Sequence, residues 1–92
     1  MYDIRIYGRV QGVGFRFAAR SLARSLNLKG WVENSPDGTV HAVIYGTQSA
    51  CMEFFSWCKN GTGYSWVERV EIKETDHNKE KGPSGFKSFE IR

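Results

Sequence analysis

The chain has 92 residues, 40% hydrophobic and 25% charged, with a formal net charge of +3. That is the composition of a soluble globular domain with one core, and no apolar run reaches the roughly 18 residues a membrane span needs. The positive excess suits an anionic small molecule and is too mild and too scattered to argue for nucleic acid.

Met1 leads straight into a strand-like pattern with no leader peptide, which predicts a cytoplasmic protein. Residues 2–7 alternate, with Tyr2, Ile4 and Ile6 on one face and Asp3, Arg5 and Tyr7 on the other, as in a half-buried strand. Residues 8–16 follow as Gly-Arg-Val-Gln-Gly-Val-Gly-Phe-Arg. From Phe15 to Leu26 the apolar positions Phe15, Ala18, Ala19, Leu22, Ala23 and Leu26 form the stripe of an amphipathic helix, punctuated by Asn27 and Gly30. Leu28–Asn34 and Thr39–Tyr45 read as strands joined by Ser35-Pro36-Asp37-Gly38, in which proline presets φ and glycine takes a positive one. Thr47 or Ser49 caps a second helix that runs to Lys59 and buries Cys51, Phe54, Phe55 and Cys58. Trp66–Lys73 alternates again, residues 75–85 read as an exposed polar loop, and Phe86–Ile91 as a short final strand.

The order β-α-β-β-α-β with an extra C-terminal strand predicts one ferredoxin-like α+β domain over residues 1–92, an antiparallel sheet with two helices on one face. Trp31, Phe54, Phe55 and Trp66 are expected in its core. Cys51 and Cys58 lie two helical turns apart, about 10 Å, which is beyond disulfide reach. They are read as small core residues.

The chemistry concentrates at residues 8–16. Glycines let a backbone turn tightly and approach a ligand, and a helix N-terminus presents unbonded N–H groups and a partial positive charge. Together these are the parts of a phosphate cradle, to which Arg16 adds a fork able to grip two oxygens. The spacing is neither a Walker A nor a Rossmann fingerprint, and it also fits a plain strand-to-helix turn with Arg16 on the surface. Asn34 is the second candidate. Its carboxamide can both donate to and accept from a water, although a turn-capping asparagine has the same sequence appearance. Arg20 and Arg24 continue the ridge of Arg16 and read as a solvated face.

Other chemistry fails on inventory. His41 and His77 stand alone, so no metal and no cofactor is expected, and no nucleophilic triad or carboxylate pair stands out. Gly12-Val-Gly-Phe-Arg-Phe resembles the aromatic motif of RNA-recognition domains, but here it leads into a helix rather than lying on a sheet face, which argues against RNA.

Ile6 to Arg16 matches throughout the first signature of the acylphosphatase family. Gly30-Trp31-Val32-Glu33-Asn34, then Gly38, Val40 and Gly46, resembles the second, and Phe89-Glu90-Ile91-Arg92 is similar to the family's last strand. Glu33 and Tyr45 depart from the usual pattern, and alternation places Glu33 on the face away from Asn34. The resemblance implies a free-standing enzyme that hydrolyses acyl phosphates to carboxylate and inorganic phosphate without a metal. It implies that Arg16 and the main-chain N–H groups of Gln11, Gly12, Val13, Gly14, Phe15 and Arg16 hold the phosphoryl group, and that Asn34 orients the attacking water. It further implies a monomer, with phosphate as product and competitive inhibitor. The rival readings are a phosphate- or carbamoyl-phosphate-binding module and an interaction domain of the same fold.

Overall fold

Alternation in the strands and an apolar stripe in each helix set the architecture, which the computed structural model describes for residues 1–75 and 88–92. The elements are β1 (Tyr2–Arg9), α1 (Phe15–Ser25), β2 (Lys29–Asn34), β3 (Val40–Tyr45), α2 (Gln48–Asn60), β4 (Trp66–Glu74) and β5 (Phe89–Ile91). The expected loop from 76 onward, His77 and the first residues of the expected last strand lie outside the described residues.

The five-stranded sheet has the order β4-β1-β3-β2-β5. β1 pairs antiparallel with both β3 and β4, and β2 pairs antiparallel with β3. The short β5 runs parallel to β2, so the sheet is mixed, not wholly antiparallel as expected. Ile4 and Ile6 of β1, Val32 of β2, and Val40, Ala42 and Ile44 of β3 form one fully buried face. Phe15, Ala19 and Ala23 of α1 and Cys51, Phe54, Phe55 and Cys58 of α2 pack in the same cluster, so both helices cover that face. Thr47 is the α2 cap, its Oγ1 accepting from the Ala50 N–H at 3.2 Å. Cys51 and Cys58 are free and buried, and burial pushes the Cys58 thiol far above its ordinary pKa.

β5 closes the edge of the core. Phe89 is fully buried with its ring 6.0 Å from that of Phe54, and Arg24 Nε donates to the Phe89 carbonyl at 3.1 Å. Arg24 therefore ties α1 to β5, where the sequence suggests only a solvated residue.

The second face of the sheet carries no helix from the described residues. Tyr7 donates its hydroxyl to Glu71 Oε1 at 2.8 Å, and the Arg69 guanidinium lies 3.8 Å from the centre of the Tyr7 ring. Arg92 sits 4.3 Å over Trp31, whose ring meets His41 edge-on at 5.0 Å. His41 Nε2 lies 2.8 Å from Asp3 Oδ1, and Glu33 is on this face too, 3.9 Å from His41 Nδ1. Trp31 is thus on the uncovered face, and Trp66, paired with Arg9, is 62% exposed. Neither is core. Strand phase decides: the neighbours Val32 and Val67 take the helix-covered side.

β1 and β2 both run antiparallel to β3, so they point the same way. Their C-terminal residues Arg9 and Asn34 consequently end at one pole of the sheet. α1 starts there as well, at Phe15.

Candidate active site

The loop leaving β1 is held at both ends. Val10 and Phe15 are each 1% exposed, and Val13 between them packs against the core. Apolar anchors on either side leave the intervening backbone little freedom. Gly12 (φ 73°) and Gly14 (φ 78°) are both left-handed, and a Cβ on either would point into open space. Conformation, not crowding, is what demands glycine at these positions.

Gly14 is also the N-cap of α1, and it offers no side-chain acceptor to the first turn. Among the described residues, the main-chain N–H groups of residues 11–16 have no protein acceptor. Such groups normally find partners. No acidic residue lies in the first turn; instead that turn carries Arg16, which is half-buried and makes no ion pair or hydrogen bond with the described residues. A cation at the positive end of a helix is unfavourable by about 0.3–1 kcal/mol. The chain therefore gathers positive potential and unspent donors in one place, which is the electrostatic signature of an anion site.

Asn34 is the last residue of β2, opposite Val40 of β3. Its Oδ1 is buried and has no hydrogen-bond partner. The turn that follows is tightly bonded: Ser35 N–H donates to Thr39 O at 2.9 Å and Gly38 N–H to Ser35 O at 3.1 Å. Thr39, 5% exposed, donates its hydroxyl to Asp37 Oδ1 at 2.6 Å and accepts from Arg5 at 2.9 Å. The Thr39 hydroxyl and N–H hold the Asp37 carboxyl below its usual pKa. Gln11 joins loop to turn, its Nε2 donating to Ser35 O at 2.7 Å and to Thr39 O at 2.8 Å.

All the residues singled out in the sequence thus fall at one pole: Gln11 to Arg16 as a continuous loop and first turn, and Asn34 on the turn that Gln11 grips. The sequence reading omits the Gln11 side chain, Arg5, Thr39 and Ser35. Their only sequence signal is polarity at strand ends, which gives no hint of partners some thirty residues away.

Two surface hollows lie at the opposite pole, about 290 Å³ lined by Arg24, Asn27, Leu28, Lys29 and Ser88, and about 370 Å³ lined by Asn27, Lys29, Tyr45, Gly46 and Thr47. They offer volume but not convergent free donors, and Arg24 is already bonded to Phe89. A phosphoryl group is recognised by donors, not by cavity size. Among the described residues, no group of three or more His, Cys, Asp or Glu could hold a metal. No helix of the described residues is long and apolar enough to cross a membrane.

A ferredoxin-like sheet whose first strand leads through an uncapped amide loop into an arginine-bearing helix defines an α+β domain with a candidate anion site at that junction. Residues 2–91 match the family model described as acylphosphatase, and the chain belongs to that family. It is 46% identical over 88 residues to an acylphosphatase of Thermococcus kodakarensis, covering 96% of this chain and 90% of that one. It superposes on the crystal structure of acylphosphatase from Bacillus subtilis with a TM-score of 0.87 at 35% identity, covering 99% and 96% of the two chains. A structure of full-length HypF in phosphate- and nucleotide-bound form contains the same fold, with a TM-score of 0.81 at 29% identity, over 99% of this chain and 11% of that one.

Proposed function

We propose that this chain hydrolyses acyl phosphates to a carboxylate and inorganic phosphate at the pole where β1, β2 and α1 meet. One observation carries the reading: in a member of this family, the unbonded N–H groups of residues 11–16 lie in the same loop and first helical turn as an arginine that has no hydrogen-bond or ion-pair partner among the described residues.

An acyl phosphate is a mixed anhydride whose leaving group is a carboxylate with a pKa of about 4. Such a group departs without a strong general acid, so catalysis reduces to positioning and charge stabilisation. In the proposed mechanism the amides of Gln11, Gly12, Val13, Gly14, Phe15 and Arg16 hold the phosphoryl oxygens. The Arg16 guanidinium spans two of them, a task for a planar fork rather than a point charge. The carboxamide of Asn34 holds a water in line with the bond to be broken, with Oδ1 accepting a hydrogen bond from that water. The water oxygen bonds to phosphorus as the bond to the carboxylate oxygen breaks, the water gives one proton to a phosphoryl oxygen, and carboxylate and dihydrogen phosphate leave; the product phosphate competes for the same amides. No step requires a metal. The same proposal makes the protein a cytoplasmic monomer, and two free buried thiols suit a reducing compartment.

The test is loss of benzoyl phosphate followed by ultraviolet absorbance, with and without chelator. Hydrolysis that persists in chelator and is inhibited competitively by phosphate supports the proposal. Binding of phosphate without turnover overturns the enzymatic reading, and abolition by chelator overturns the metal-free one.

A further inference from the structure

We infer that the side chain of Gln11 is a positioning residue for the hydrolytic step, acting through the β2–β3 turn on Asn34. This rests on the role given to Asn34 above and goes beyond it, because there Gln11 serves only through its main-chain N–H.

The geometry is specific. A carboxamide nitrogen has two hydrogens, and Gln11 Nε2 meets two carbonyls, Ser35 O at 2.7 Å and Thr39 O at 2.8 Å. Two acceptors fix which end of the carboxamide is nitrogen. The two carbonyls are the base of the turn, since each also accepts a main-chain N–H from within it. Ser35 follows Asn34 directly, and Thr39 precedes Val40, the partner of Asn34 in the sheet. One side chain therefore locks both strands flanking Asn34 to the loop that carries the cradle amides.

The turn does not depend on Gln11 for its existence. Arg5 grips the same two residues by their side chains, reaching Ser35 Oγ at 3.2 Å and Thr39 Oγ1 at 2.9 Å, and the β2–β3 register runs unbroken to Asn34. Arg5 belongs to β1 and fixes the turn to the sheet. Gln11 belongs to the loop and fixes the turn to the cradle. Without Gln11 the turn and the anchored loop persist, but the direct hydrogen bonds that tie one to the other are lost, so their separation is held less tightly. A displacement of this kind lowers turnover without touching the amides that bind phosphate.

The experiment is a double-mutant cycle. Gln11→Glu keeps the shape but sets a carboxylate against two carbonyls, and Gln11→Met keeps the length without any donor. Each leaves the main-chain N–H in place. The expected result is a fall in kcat of roughly 10- to 100-fold, with the phosphate inhibition constant within about two-fold of wild type. In an Asn34→Ala background the same substitutions should change kcat by less than about two-fold, because the residue they act through is gone. Full additivity overturns the inference, as does a loss of phosphate binding in step with kcat. A turnover-independent readout is the Asn34 side-chain amide pair in ¹H–¹⁵N spectra, expected to shift in either variant. If the wild-type chain binds phosphate but does not turn over, the proposed function falls, and unmoved Asn34 signals in the Gln11 variants are then what overturns the clamp.

Discussion

Replacing Asn34 by alanine should separate stability from activity. The buried Oδ1 of Asn34 has no partner in the protein, so truncation there breaks no hydrogen bond within the fold. Alanine removes that oxygen and keeps Cβ. What it loses is the dispersion contact of a few side-chain atoms, each about 0.1–0.2 kcal/mol per pair. That loss is on the order of 1 kcal/mol or less, and for a domain of this size each kcal/mol moves Tm by about 4–8 °C. The melting temperature, followed by circular dichroism without phosphate, should stay level to within a few degrees. The kcat for benzoyl phosphate should fall about 100-fold, while phosphate inhibits with an unchanged constant. A variant that melts lower and turns over normally refutes the reasoning, since Asn34 would then be a structural turn residue. An effect confined to KM would place it in binding rather than in the chemical step.

Arg16→Ala should cost about 3–6 kcal/mol of transition-state stabilisation, two charge-assisted hydrogen bonds, read as a fall in kcat/KM, with Tm level or a few degrees higher, because Arg16 has no partner among the described residues to lose and its charge opposes the helix dipole. Arg16→Lys should recover little of it, and substantial recovery would reduce the role to simple charge attraction. Gly14→Ala, at φ 78° with open space around the added methyl, should destabilise by about 1–2 kcal/mol through backbone strain alone. Gly14→Asn should cost less, since asparagine tolerates the left-handed region, and equal melting temperatures for the two would contradict this. The folded pKa of Asp37 is lowered by its bonds to Thr39. Its contribution is thus complete above the ordinary carboxylate range and is lost as pH falls through the lowered folded value. The Asp37 carboxyl should titrate in NMR below a free aspartate, and less far below it in Thr39→Val, which removes the hydroxyl but keeps the main-chain N–H.

Much of the fold is legible because its signals are local. Alternation over residues 2–7 assigns Ile4 and Ile6 inward without knowledge of any partner, and the helical stripe from Phe15 to Ala23 does the same. The conformational demand of Gly12 and Gly14 is local too, which is why the loop can be read before its surroundings are known. What escapes the sequence is long-range pairing. Gln11 sits between Val10 and Gly12 with nothing nearby to show that its carboxamide reaches two carbonyls on another turn. Arg24 looks like one more solvated cation until β5 supplies a carbonyl. The parallel direction of β5 follows from no pattern in so short a strand. Trp31 and Trp66 mislead for another reason: hydrophobicity names a residue that prefers cover, but strand phase decides the side, and Val32 and Val67 already hold the inward places.

Two of the aromatic rings on the side of the sheet that no described helix covers lie under a guanidinium, Tyr7 under Arg69 and Trp31 under Arg92. A flat aromatic surface is ordinarily where a nucleobase or a neighbouring molecule would stack. Here any such visitor must first lift a cation from its π-cloud, at about 0.5–1 kcal/mol per exposed contact, before gaining any apolar area. Where the described helices shield one side of the sheet, the protein thus shields part of the other with its own arginines.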